Sequence, residues 1–174
     1  MTYKIQVFDN YLSNDAFKDL RNEIMNPHFP WFYGESKVGE DYGDMGPNKE
    51  LFDFQFVHMF YVDNAPNSPH IEVLNPLLEV INPCALVRIK ANITFCTPKV
   101  IDFPFHVDHD NFMGKTAVFY LNTNNGYTEF ENGEKIESVE NRMIIFDSNL
   151  KHRGSTSSNS RYRLVLNFNY FPYE

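Results

Sequence analysis

Residues 85–96, ALVRIKANITFC, alternate in character along their length. Arg88, Lys90, Asn92, Thr94 and Cys96 share one parity with Leu86, and Val87, Ile89, Ala91, Ile93 and Phe95 share the other. An extended backbone sends successive side chains to opposite faces. The segment is therefore a strand with an apolar face and a largely polar one. Shorter segments of the same kind follow: KTAVFYLN, GYTEFE, EKIESV, RMIIFD and RYRLVLNFNYF, with turn signals such as TNNG and ENGE between them. From Ala85 onward the chain is almost all strand.

The first half differs. YKIQVFDN is expected to form a short strand. LSNDAFKDLRNEIMN is expected to form a helix capped by Ser13 or Asn14, with Ala16, Phe17, Leu20 and Ile24 as its apolar stripe. DFQFVHMFYV is aromatic and β-prone. NSPHIEVLNPLLEVIN is helical from Pro69, with a kink or restart at Pro76. Residues 34–50 are polar and Gly-rich, a loop or lid. Helices followed by a run of strands imply a mainly β (α+β) fold, a sandwich or jelly roll with the helices packed on one sheet. The 174 residues suit one domain, with a helical N-terminal part over about 1–84 and a β core over about 85–174.

Composition excludes some functions. Fifteen basic against 23 acidic residues give a net charge of −8, which disfavours nucleic acid as a partner. Cys84 and Cys96 form no disulfide framework. No segment has the length and apolarity of a signal peptide or a membrane span, so a cytoplasmic protein without a membrane partner is expected.

The chemistry concentrates in DFPFHVDHDN, residues 102–111. His106 and Asp108 are two positions apart, so on an extended backbone both reach one ion. A lone His-x-Asp is more often a plain loop. His152, at the exit of RMIIFD, becomes the third ligand if the first and last strands of the β run lie side by side. Two imidazoles and one carboxylate suit a non-haem Fe(II) site with open positions, and they also suit Zn²⁺. Nine residues after His152, Arg161 opens the last strand, and Arg163 lies on the same face two positions later. A buried arginine needs an anion, which a dicarboxylate would supply. An ion pair within the sheet is the competing reading for one of the two.

In order, RIKANITFC, HVD, FYLN, NGYTEF, NRMIIFDSNLKHRG and SRYRLVLNFNYF resemble the Fe(II)/2-oxoglutarate-dependent dioxygenases, in the prolyl 4-hydroxylase-like branch with its small bacterial and phage-type relatives. The resemblance implies a double-stranded β-helix. It implies Fe(II) held by His106, Asp108 and His152, and 2-oxoglutarate as co-substrate. It gives the far carboxylate of 2-oxoglutarate to Arg161 in preference to Arg163, with the Tyr120 hydroxyl assisting. The branch often has a tyrosine touching the co-substrate on the strand before the metal loop; Asn92, Thr94 and Cys96 hold the corresponding inward positions, and Asn92 is the expected polar contact. Dioxygen and a peptidyl proline or small molecule would be the other reactants. Halogenating relatives replace the carboxylate ligand with a small residue, so Asp108 implies hydroxylation. A non-catalytic jelly-roll module with a structural or vestigial metal site is the alternative.

Overall fold

The computed structural model describes residues 5–34, 54–109 and 112–173. The loop or lid expected at 34–50 lies outside them, apart from Gly34. Helix α1 spans Asn14–Ile24 and begins where the sequence places its cap: the Ser13 hydroxyl accepts from the Ala16 N–H at 3.4 Å. Phe17, Leu20 and Ile24 bury its apolar stripe. The restart expected at Pro76 is present. A 3₁₀ helix over Pro69–Leu74 gives way to α2 over Asn75–Ile81. Pro76 falls in the first turn of α2, where its missing N–H has no intrahelical partner to lose. Asn82, at φ 46°, then closes the helix in the left-handed region.

Eleven strands form two antiparallel sheets among the described residues. They are β1 Gln6–Phe8, β2 Phe32–Gly34, β3 Gln55–Val62, β4 Ala65–Pro66, β5 Pro83–Phe95, β6 Lys115–Tyr120, β7 Tyr127–Phe130, β8 Lys135–Glu137, β9 Arg142–Asp147, β10 His152–Gly154 and β11 Tyr162–Pro172. The major sheet runs β1-β9-β6-β11-β5-β3-β2, with β4 on β3, and the minor sheet runs β10-β7-β8. The architecture is a mainly β jelly roll with helices against the major sheet. The boundary expected near residue 84 does not divide helix from strand, because β1, β2, β3 and β4 all come from the first half.

β5 and β11 pair along their lengths, from Phe95 opposite Tyr162 to Pro83 opposite Pro172. The first and last long strands of the β run are thus neighbours, and their alternation splits the molecule. Ile89, Ala91, Ile93, Leu164, Leu166 and Phe168 bury one face of the sheet against Phe17, Leu20, Ile24, Leu74 and Leu77 of the helices. The other face turns to the minor sheet. There Val118, Tyr120, Phe130, Ile144, Phe146 and Val165 form a smaller core. Beside that core the inward positions become polar, and the cavity lies there.

Candidate metal and co-substrate site

His106 and His152 are aligned by their own backbones. Each N–H donates to the other residue's carbonyl at 2.9 Å, an antiparallel bridge that extends the minor sheet beyond β10. Each imidazole Nδ1 also meets a backbone carbonyl, Pro104 at 3.1 Å for His106 and Leu150 at 3.0 Å for His152. A carbonyl only accepts, so Nδ1 carries the proton and Nε2 keeps its lone pair. Asp108, two positions after His106, joins them. The ligand atoms of His106, Asp108 and His152 all lie within 4.8 Å of one another. The donor chemistry fits a divalent ion.

Four groups hold the Asp108 carboxylate. Arg88 donates to Oδ1 at 2.9 Å. Oδ2 accepts from Thr116 at 3.3 Å, Asn167 at 3.2 Å and Asn169 at 3.0 Å. Burial pushes the carboxyl pKa up, but His152, Arg88, Asn169 and His106 outweigh it and hold the group well below the usual range. Burial, then the neighbouring His152, lowers the His106 pKa, so the imidazole stays neutral and available to a metal.

The cavity beyond the triad is bounded by the inward faces of β5 and β11 and by Thr128 and Gly154 of the minor sheet. Arg163 is 5% exposed at its inner end. Its Nε donates to Ser138 Oγ at 2.8 Å, one terminal nitrogen donates to Thr128 Oγ1 at 3.2 Å, and the guanidinium lies over the Tyr120 ring at 5.5 Å. All three partners are neutral. Gly126 makes room for this side chain: a Cβ there would meet Arg163 Cδ at 2.7 Å and the Thr156 carbonyl at 2.8 Å. Burial lowers the Arg163 pKa, opposed by the Tyr120 hydroxyl.

The preference for Arg161 over Arg163 does not match this placement. Arg161 is exposed and precedes β11, and its carbonyl accepts from the Cys96 N–H at 3.0 Å. The turns after β10 use up the residues through 161, and the pairing of Thr94 with Arg163 puts the arginine of β11 in the cavity. Tyr120 is fully buried beside the cavity, and its hydroxyl donates to Thr128 Oγ1 at 2.8 Å. Thr128, in place of Tyr120, therefore presents its hydroxyl on the lining, accepting from both Tyr120 and Arg163. Asn92 lines the cavity, as does Thr94, and Asn92 Oδ1 and Thr94 Oγ1 are buried without partners. Lys90, between Arg88 and Asn92 on the same face, also lines it. Burial, then the neighbouring Arg88, brings the Lys90 pKa down to about 8.

The sequence reading missed the roles of Arg88, Lys90, Thr128, Ser138, Asn167 and Asn169. The alternation of β5 and β11 was a usable signal for four of them. It puts Arg88 and Lys90 on the face of Asn92, and Asn167 and Asn169 on the face of Arg163.

No family model matches the chain, and a comparison with curated protein sequences finds no match. Solved structures do resemble it. A prolyl hydroxylase from Trichoplax adhaerens, described in complex with a hypoxia-inducible-factor oxygen-degradation-domain peptide fragment, is 12% identical, with TM-score 0.68, covering 98% of this chain and 84% of that one. An oxidoreductase of the 2OG-Fe(II) oxygenase family from Burkholderia pseudomallei is 15% identical, with TM-score 0.65, covering 98% and 86%. A prolyl-4-hydroxylase from Pseudomonas putida is 16% identical, with TM-score 0.56, covering 99% and 95%. At these identities the likeness is one of fold.

Proposed function

We propose that this chain is an Fe(II)- and 2-oxoglutarate-dependent dioxygenase that hydroxylates its substrate. The observation that carries the reading is Arg163, a cation 5% exposed, beside a His-Asp-His triad, with only neutral hydrogen-bond partners among the described residues. Burying a charge without a counter-charge is unfavourable by several kcal/mol, roughly. A dianion reaching from the triad to Arg163 removes that penalty. A structural metal site would leave Arg163 without a purpose.

His106, Asp108 and His152 would hold Fe(II). Arg163 and the Thr128 hydroxyl would take the far carboxylate of 2-oxoglutarate, and Tyr120 would hold Thr128 in place. Asn92 and Thr94, with unpartnered buried oxygens, would face the co-substrate chain. With both bound, the site would couple decarboxylation of 2-oxoglutarate to succinate and CO₂ with insertion of one oxygen atom of O₂ into a substrate C–H bond. The side chains do the rest of the work. Arg88, Asn167 and Asn169 fix the Asp108 carboxylate so that it neither rotates nor takes a proton. The backbone pairing of the two histidines keeps both Nε2 atoms on one side. The jelly-roll walls limit water at the reacting centre.

The substrate would be a peptidyl proline or a small molecule, and two of the structural neighbours are prolyl hydroxylases by description. Aerobic succinate formation from 2-oxoglutarate, without added substrate, tests the reading. Slow Fe(II)-dependent formation in the wild type, absent in Asp108→Ala, is expected. A folded, iron-loaded wild type that forms none over many hours would refute it.

A further inference from the structure

Lys90 is not used by the chemistry above. It lies on β5 opposite Asn167, so it stands between the metal end of the cavity, at Arg88 and Asn169, and the Arg163 end, at Thr94. Arg88 has Asp108 as its partner at 2.9 Å. Lys90 has no carboxylate within ion-pair distance among the described residues, although it lines the cavity. The charges make the gap explicit. A divalent ion and dianionic 2-oxoglutarate cancel each other, and Arg88 cancels Asp108. Among the described residues, Lys90 and Arg163 then leave a surplus of positive charge in a confined space, where it is costly. The two carboxylates of 2-oxoglutarate are already assigned, one to the ion and one to Arg163. A further anion would balance Lys90.

The neighbouring polar atoms describe the rest of that ligand. Asn167 directs its Nδ2 at the Asp108 carboxylate, which only accepts, so its Oδ1 is the free end, and that oxygen is buried without a partner. A cation beside this unpartnered acceptor suits a carboxylate that carries an N–H or O–H donor nearby. Gln55 of β3, on the other side of β5 from β11, also lines the cavity.

We infer that Lys90 forms a second anion subsite, and that the molecule oxidised here is a small carboxylic acid whose carboxylate pairs with Lys90. The inference rests on the oxygenase reading for the word "oxidised", but the subsite can be tested without turnover. Protein loaded with Co(II) and saturated with 2-oxoglutarate is titrated with difluoroacetate, followed by fluorine NMR line broadening. Difluoroacetamide serves as the neutral control. Saturable broadening by the acid and not the amide is expected in the wild type. Lys90→Met should weaken it at least about tenfold, the scale of a lost charge-assisted hydrogen bond, and Lys90→Arg should restore most of it. The affinity for 2-oxoglutarate should stay within about twofold in both variants, since Lys90 is not its anchor. Broadening that is absent in the wild type, or unchanged in Lys90→Met, overturns the subsite. A Lys90→Met variant that loses 2-oxoglutarate binding as Arg163→Met does also overturns it, by making Lys90 a co-substrate residue. If 2-oxoglutarate does not bind the wild type but the acid still binds through Lys90, the oxygenase reading falls and the anion subsite stands.

Discussion

The two faces of the major sheet are built from the same strands and do opposite things. On β11 the helix-side face carries Leu164, Leu166 and Phe168, all essentially inaccessible, and the cavity side carries Arg163, Asn167 and Asn169, also buried. Burial is similar, so exposure does not separate the faces. Satisfaction does. The apolar face is complete in itself, packed against α1 and α2. The cavity face holds two cations without a carboxylate partner among the described residues and several unpartnered oxygens, and it looks onto a His-Asp-His group that could hold a metal ion. One face supplies stability, and the other spends part of it to hold groups in readiness for ligands.

Substitutions should separate the faces. The largest effect is expected from His152→Ala, which should abolish Fe(II) binding measured by equilibrium dialysis while leaving the metal-free protein folded. On the opposite face, Phe168→Ala should lower unfolding free energy by about 3–5 kcal/mol in a denaturant titration, through cavity formation. A metal-free Phe168→Ala as stable as the wild type would break the contrast. The reverse sign is expected at Lys90→Met. Removing a partly buried cation with no ion-pair partner among the described residues should stabilise the metal-free protein by about 1–3 kcal/mol. Destabilisation instead would mean that Lys90 has a structural partner.

Acidification acts on both faces. Burial lowers the pKa of His106 on the cavity side and of His58 on the helix side, where His58 bridges the Pro30 carbonyl and the Ser68 hydroxyl. A histidine whose folded pKa is depressed takes up its proton later than the unfolded chain does. Stability of the metal-free protein should therefore fall as the pH drops below the ordinary histidine value of 6.5 and level off below the folded values. His58→Gln should make that fall shallower. A thermal midpoint flat across this window would contradict both assignments. The smallest effect is expected at Arg161→Met, which should change 2-oxoglutarate affinity by less than about twofold, because an exposed charge outside the cavity contributes little.

Much of this contrast was legible in the strand patterns. The alternation of residues 85–96 separates the two faces of β5, and the His-x-Asp pair with the later histidine marks the group that could hold a metal ion. Arg163, and not Arg161, lines the cavity, for a reason that local pattern does not contain. Counting from His152 favours Arg161, but the inward position depends on where β11 enters its pairing with β5, and the turns between β10 and β11 set that. The membership of β2 and β3 in the major sheet is likewise a matter of long-range pairing. Tyr120 was expected to hydrogen-bond a co-substrate carboxylate, but its hydroxyl donates to Thr128, whose small side chain gave no signal of its own.

The most direct test of the central claim is 2-oxoglutarate affinity of the Fe(II)-loaded protein without oxygen, followed by the visible charge-transfer band in the wild type, Arg163→Met and Arg161→Met. The account predicts a band in all three, with the Arg163 variant needing at least about tenfold more 2-oxoglutarate and the Arg161 variant matching the wild type. A wild type that takes up iron but shows no band, or an Arg161 variant with the larger loss, would contradict it.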